Sequence, residues 1–206
     1  MRTINLLYLM LFLPVFALAQ TERKGTYGSI SAAYGTYSID LYAYAGGSDL
    51  YNDQDFSGPV FSLGIETKSA WQKNKFVFDV GGELSAGLGI KKTSVSSGNY
   101  HTSNSGGHLY GINALLKAGY LVAESGKVVP LFGLGPYYDF ITQGGDSDDN
   151  SIYGLQGFVG VDLSVSKFVI TPQLNFGLAS WGGSESMDQN GQPSKFEGGV
   201  KFAYKF

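Results

Sequence analysis

Few residue types in this 206-residue sequence are equipped for chemistry. Cysteine is absent, which removes disulfides, thiolate metal sites, thiol nucleophiles and a lipobox for lipoprotein processing. Histidine occurs only as His101 and His108, so a transition-metal centre is not expected, and the sequence calls for no cofactor. Three kinds of candidate remain. Tyr100-His101-Thr102-Ser103-Asn104 sets an imidazole two residues from a hydroxyl. Gly145-Asp146-Ser147-Asp148-Asp149-Asn150 offers carboxylates to a divalent cation, but it lacks the sixth-position glycine and twelfth-position glutamate of a calcium loop, and a solvated loop is expected. Finally, Glu83, Lys117, Asp162, Glu197 and Lys201 stand singly among glycines and apolar residues, where a charge is tolerated only if it is paired.

The elements that hold these residues read as strands. In the closing stretch Ser194 to Phe206, Phe196, Val200, Phe202, Tyr204 and Phe206 alternate with Lys195, Glu197, Lys201 and Lys205, giving one aromatic and one charged face. The same alternation predicts strands over Thr26–Thr36, Pro59–Glu66, Phe76–Ile90, Tyr110–Tyr120, Val128–Phe140, Leu155–Val165 and Phe168–Leu178. Pro172 removes a ladder hydrogen bond and predicts a bulge or an early strand end in the seventh. The intervening polar stretches Ser38–Gly58, Lys91–Gly107, Thr142–Asn150 and Gly182–Pro193 read as long loops. Thr67–Asn74, Ala123–Lys127 and Ser166-Lys167 read as short connections. Long and short connections thus alternate along eight strands, as in an up-and-down barrel with long loops on one side.

Residues 1–19 have the form of a cleaved signal peptide: Arg2, an apolar core from Leu6 to Phe16, and the small-x-small site Ala17-Leu18-Ala19. Residues 20–206 form the barrel domain. Beyond the leader no apolar run approaches the roughly 18 residues of a spanning helix, so membrane character must be distributed over strands. The formal net charge of −3 gives no support to nucleic-acid binding. An eight-stranded barrel has an interior just wide enough for side chains, so the bulky face is assigned outward, to lipid. The face carrying Glu66, Asp79, Glu83, Lys117, Asp139, Gln156, Asp162, Gln173, Asn175, Glu197 and Lys201 is assigned inward. The five isolated charges are then expected to form a lumenal ion-pair network. Tyr110, Tyr120, Tyr138, Trp181 and Tyr204 suit interfacial girdles.

On Ala17-Leu18-Ala19-Gln20, Pro130-Leu131-Phe132-Gly133-Leu134-Gly135-Pro136-Tyr137-Tyr138 and Gly198-Gly199-Val200-Lys201-Phe202-Ala203-Tyr204-Lys205-Phe206, the chain resembles the small outer-membrane β-barrel domain family of Bacteroidetes, akin in architecture to OmpX, OmpA and opacity proteins. Phe202, Tyr204 and Phe206 resemble the C-terminal signal strand read by the barrel assembly machinery. The resemblance implies an all-β, eight-stranded transmembrane barrel in the outer membrane of a Gram-negative bacterium. Its partners would be outer-membrane lipids and lipopolysaccharide, with an extracellular ligand unspecified. The implied role is non-enzymatic, in envelope structure or surface interaction through the loops; a narrow passive channel with a charged lumen is the alternative. Tyr100–Asn104 also resembles the His-x-Ser-Asn stretch of the PagL lipid A deacylases, which would make His101 a base and Ser103 a nucleophile. In that family the stretch lies in a late strand and is followed by a nearby glutamate. Here it lies early, and Glu124 is in a turn at the other end.

Overall fold

The computed structural model describes residues 23–45, 48–96, 99–122, 127–142, 150–184 and 193–206. The proposed signal peptide lies outside them. The chain forms eight strands: β1 (Gly25–Ala45), β2 (Ser48–Lys73), β3 (Phe76–Ser96), β4 (Asn99–Tyr120), β5 (Val128–Thr142), β6 (Asn150–Val165), β7 (Phe168–Ser184) and β8 (Ser194–Lys205). Each pairs antiparallel with its sequence neighbour, and β1 pairs with β8 from Tyr27↔Lys205 to Ser38↔Ser194, closing the barrel. Closure matters because an open edge would leave backbone donors and acceptors unpaired in a bilayer.

Period-two alternation sorts the side chains as expected. Leu63, Leu84, Leu116, Phe132, Val159, Leu174 and Phe202 point outward and are exposed, whereas all eleven residues assigned inward are buried. Aromatic residues ring both ends of the outer face. At the turn end, Trp71 meets Phe78, Phe76 meets Tyr120, and Phe168 meets Tyr204, which meets Phe206. At the opposite rim Tyr138 stacks on Tyr153, and Tyr153 pairs across the strands with Trp181. Along β4 the two rings are separated by the interval from Tyr110 to Tyr120. At about 3.4 Å per residue and a tilt of about 40°, that interval is about 26 Å high, the height of the apolar band of a membrane barrel.

The polar stretches are where expectation and structure part. Ser38–Gly58 and Lys91–Gly107 are not loops: β1 and β2 remain paired to Ala45↔Ser48, and β3 and β4 to Ser96↔Asn99. The β2–β3 ladder joins the two hairpins up to Asn52↔Ser96. By contrast, β1 loses β8 above Ser38, and β4 loses β5 above His108. Half of the rim therefore rises as a four-stranded wall. From Tyr34 to Ala45 it climbs roughly 25–30 Å beyond the aromatic ring. Thr67–Asn74 likewise is not all connector, because β2 runs to Lys73 through a bulge at Ser69, whose φ is 50°.

Two single-residue expectations are corrected. Ile90 was assigned outward with Leu88, but the ladder shifts at Gly89, whose φ of 64° suits glycine. The shift turns Ile90 inward, 1% exposed. Pro172 produces neither a bulge nor a strand end: the β7–β8 ladder runs through Pro172↔Val200, and the β6–β7 ladder lapses between Gly160↔Gln173 and Leu163↔Ile170 without a change of register.

The sidedness has a direct test. Leu116→Arg, midway between the rings, should cost about 2–4 kcal/mol in urea unfolding from lipid vesicles, and Val122→Arg, beyond the turn-end ring, about 0–1 kcal/mol. Equal, negligible costs at both positions would contradict a lipid-facing exterior.

Candidate functional site

The inward face carries two charge clusters. The one nearer the turn end contains four cations, Arg23, Lys68, Lys117 and Lys201, and four carboxylates, Glu66, Asp79, Glu83 and Asp162. Arg23 lies just before β1 and folds back into the lumen. Its Nη1 donates to Asp79 Oδ1 at 2.7 Å, and its Nη2 lies 2.8 Å from Asp162 Oδ2. Lys68 bridges Asp162 at 2.7 Å and Glu66 at 2.8 Å. Glu66 Oε2 also receives Lys117 at 2.9 Å and Lys201 at 3.1 Å, while Lys201 reaches Glu83 at 3.3 Å.

Local backbone features complete these contacts. The bulge at Ser69 aims its N–H at Asp79 Oδ1, 2.7 Å away, and the Thr171 hydroxyl donates to Asp162 Oδ1 at 2.6 Å. The Lys117 ammonium stands 4.6 Å from the ring centre of Phe158. Glycine makes the room: a Cβ on Gly133 would press on Lys117, and one on Gly64 on Glu83.

The second cluster lies toward the rim. Lys195 sits 2.6 Å from Asp139 and 3.4 Å from Glu197, with its ammonium 4.5 Å from the Tyr137 ring centre. The Tyr37 hydroxyl donates to Glu197, Asn175 Nδ2 donates to the same carboxylate at 3.3 Å, and Tyr137 shares a hydrogen bond with Ser180. Above it Tyr37, Ile39, Phe56, Val60, Ile90, Leu109, Tyr137, Ile141 and Ile152 form an apolar cluster inside the barrel. A smaller one, including Leu115, Leu131 and Phe158, packs nearer the turns. The interior is therefore not only glycine, serine and charge, as the sequence pattern suggested.

Of the five isolated charges, Glu83, Lys117, Asp162 and Lys201 share the first cluster, and Glu197 belongs to the second. Arg23, Lys68 and Lys195 were not in that set. Arg23 precedes the first alternating segment, and the bulge after Thr67 hides Lys68 in what reads as a connector. Lys195 already stood on the charged face of the closing stretch beside Glu197 and Lys201; for Arg23 and Lys68 the available signal was charge balance, because six inward carboxylates outnumbered the cations on that face. His101 and Ser103 fall in β4, their backbones opposite Ser94 and Lys92, rather than in a loop. Glu124 and most of the Gly145–Asn150 segment lie outside the described residues. Among the described residues no group of three or more His, Asp or Glu side chains could hold a metal ion.

Neither a protein-family model nor a curated protein sequence matches the chain. Its fold is similar to that of the outer membrane protein OprG from Pseudomonas aeruginosa, at 15% identity and a TM-score of 0.58 over 91% of this chain and 98% of that one. Neisserial surface protein A also aligns, at 19% identity and a TM-score of 0.46 over 88% and 97% of the two chains. The attachment invasion locus protein Ail of Yersinia pestis aligns at 16% identity and 0.43 over 88% and 99%. At these identities the likeness to OprG establishes the fold alone.

The ion-pair network makes a stability prediction. Lys201→Met leaves Glu66 and Glu83 undercompensated and should cost about 3–5 kcal/mol. Adding Glu83→Gln to Lys201→Met should recover part of that loss, read as a non-zero coupling in a double-mutant cycle of urea unfolding. Strict additivity would show that the pair is not formed.

Proposed function

We propose that the chain is an integral, non-enzymatic outer-membrane barrel of a Gram-negative bacterium, with a closed lumen and a surface role carried by the tall β1–β4 wall. The observation that carries this is the filling of the lumen. A balanced ion-pair network near the turns, a second cluster above it and an apolar cluster at the rim occupy the path that a solute would take. With no open path, the remaining outward feature is the wall, and segments raised on a rigid scaffold are where binding groups concentrate. Residues 1–19 would direct export and be removed after Ala19. The short turns and both ends of the barrel domain would face the periplasm, and the wall would stand outside the cell among lipopolysaccharide. The hydrolase alternative rests on the short His101–Ser103 motif alone.

Membrane fractionation, band mobility of boiled and unboiled protein, and planar-bilayer recording test the proposal together. The expected result is a heat-modifiable outer-membrane species with no sustained single-channel steps. Its wall should be clipped near residues 46–47 or 97–98 by protease added to intact cells. Stable unitary conductance would replace this role with that of a channel, and a freely soluble protein would overturn the membrane assignment.

A further inference from the structure

The two clusters differ in their charge balance. The four cations and four carboxylates near the turns cancel. Toward the rim, Asp139 and Glu197, 2% and 7% exposed, face a single ammonium, that of Lys195, among the described residues. A carboxylate in excess inside a protein disfavours the folded state unless it takes up a proton or meets a compensating cation. Hydrogen bonds from Tyr37 and Asn175 spread the charge of Glu197 but do not cancel it.

A second observation points to the same place. Asn175 is 4% exposed and gives its amide nitrogen to Glu197, and its Oδ1 accepts no hydrogen bond. A buried amide oxygen left in that state beside a carboxylate is an oxygen ligand waiting for a donor or a cation. The rings of Tyr37 and Tyr137 both face the Lys195 ammonium, at 5.8 and 4.5 Å, so the cluster is a cation-favouring surround.

Two hollows approach the cluster from the rim without opening the lumen. At the rim β8 begins at Ser194, and a hollow opens on each side of it. One, of about 400 Å³, is lined by Tyr37, Asp55 and Phe56; the other, of about 340 Å³, by Ser180 and Trp181. Tyr37 hydrogen-bonds to Glu197 and Ser180 to Tyr137, so each hollow is lined by one residue that is hydrogen-bonded into the cluster. Asp55 makes the first hollow a mouth that favours cations.

We propose that the rim cluster binds one small monovalent cation, an alkali ion or the ammonium group of a small amine, between Glu197, the Asn175 amide oxygen and Asp139. The cation supplies the charge that Lys195 alone does not.

The test uses full-length barrel folded in detergent, with sodium, potassium or methylammonium chloride replacing tetramethylammonium chloride at constant ionic strength. At least one small cation should raise the midpoint of the heat-induced band shift saturably, with a matching change in tyrosine fluorescence. Sodium or potassium outperforming methylammonium identifies the alkali ion, and the reverse order the ammonium group. Glu197→Gln and Asn175→Ala should each raise the half-saturating concentration at least tenfold, and Glu83→Gln in the other cluster should leave it unchanged. If Glu197→Gln does not fold, Asn175→Ala decides. Equal midpoints in all four salts, or a wild-type response in Asn175→Ala, would overturn the site.

Discussion

Everything inside this barrel answers to one electrostatic constraint: its interior cannot hold a charge without an opposite charge within contact distance. Eight strands close around a space that side chains fill. A carboxylate there has little water to turn to, and removing one partner of a buried pair costs more than the pair contributes. The eight charges near the turns satisfy the constraint collectively. Glu66 alone meets Lys68, Lys117 and Lys201, so strands β2, β4 and β8 are bound through one side chain. Glycines on intervening strands then become a requirement of the network, because a Cβ at Gly64 or Gly133 would occupy space that Glu83 or Lys117 needs. Between the aromatic rings the same geometry sends most bulky residues outward, where only a hydrocarbon environment accepts a continuous apolar surface.

Much of this was legible in the sequence, and what was not has a common cause. Alternation reports a strand whose two faces meet different surroundings, so the eight segments between lipid and lumen stood out, and all eleven polar or charged inward residues were placed correctly by parity. Above the aromatic ring, neither face of β1–β4 meets lipid, and the pattern fades although the backbone ladder continues. Ser38–Gly58 and Lys91–Gly107 therefore looked like loops. Bulges cause the other class of error. One extra residue reverses the face of everything after it, as at Gly89 for Ile90, and the bulge at Ser69 breaks the alternation just after Lys68, which keeps the parity of Glu66 but fell in a stretch that read as a connector. Arg23 escaped because nothing local marks a residue outside the strands as part of the lumen.

The uneven rim follows from the same separation of backbone and side-chain roles. A hydrogen-bond ladder extends wherever two strands stay adjacent, whatever their side chains. On the β1–β4 side it continues well above the apolar band; on the β5–β8 side the described strands stop within a few residues of Tyr138 and Trp181. The barrel proper is thus symmetric where the bilayer demands it and asymmetric where water permits it.

Arg23 carries a topological implication. Covalently it belongs to the start of β1, yet its guanidinium is shared by Asp79 of β3 and Asp162 of β6. Although it precedes all eight strands in the chain, its seat is built by residues of the third and the sixth. One side chain at the edge of the first strand thus ties it to the third and the sixth, which the backbone ladder does not join to it directly.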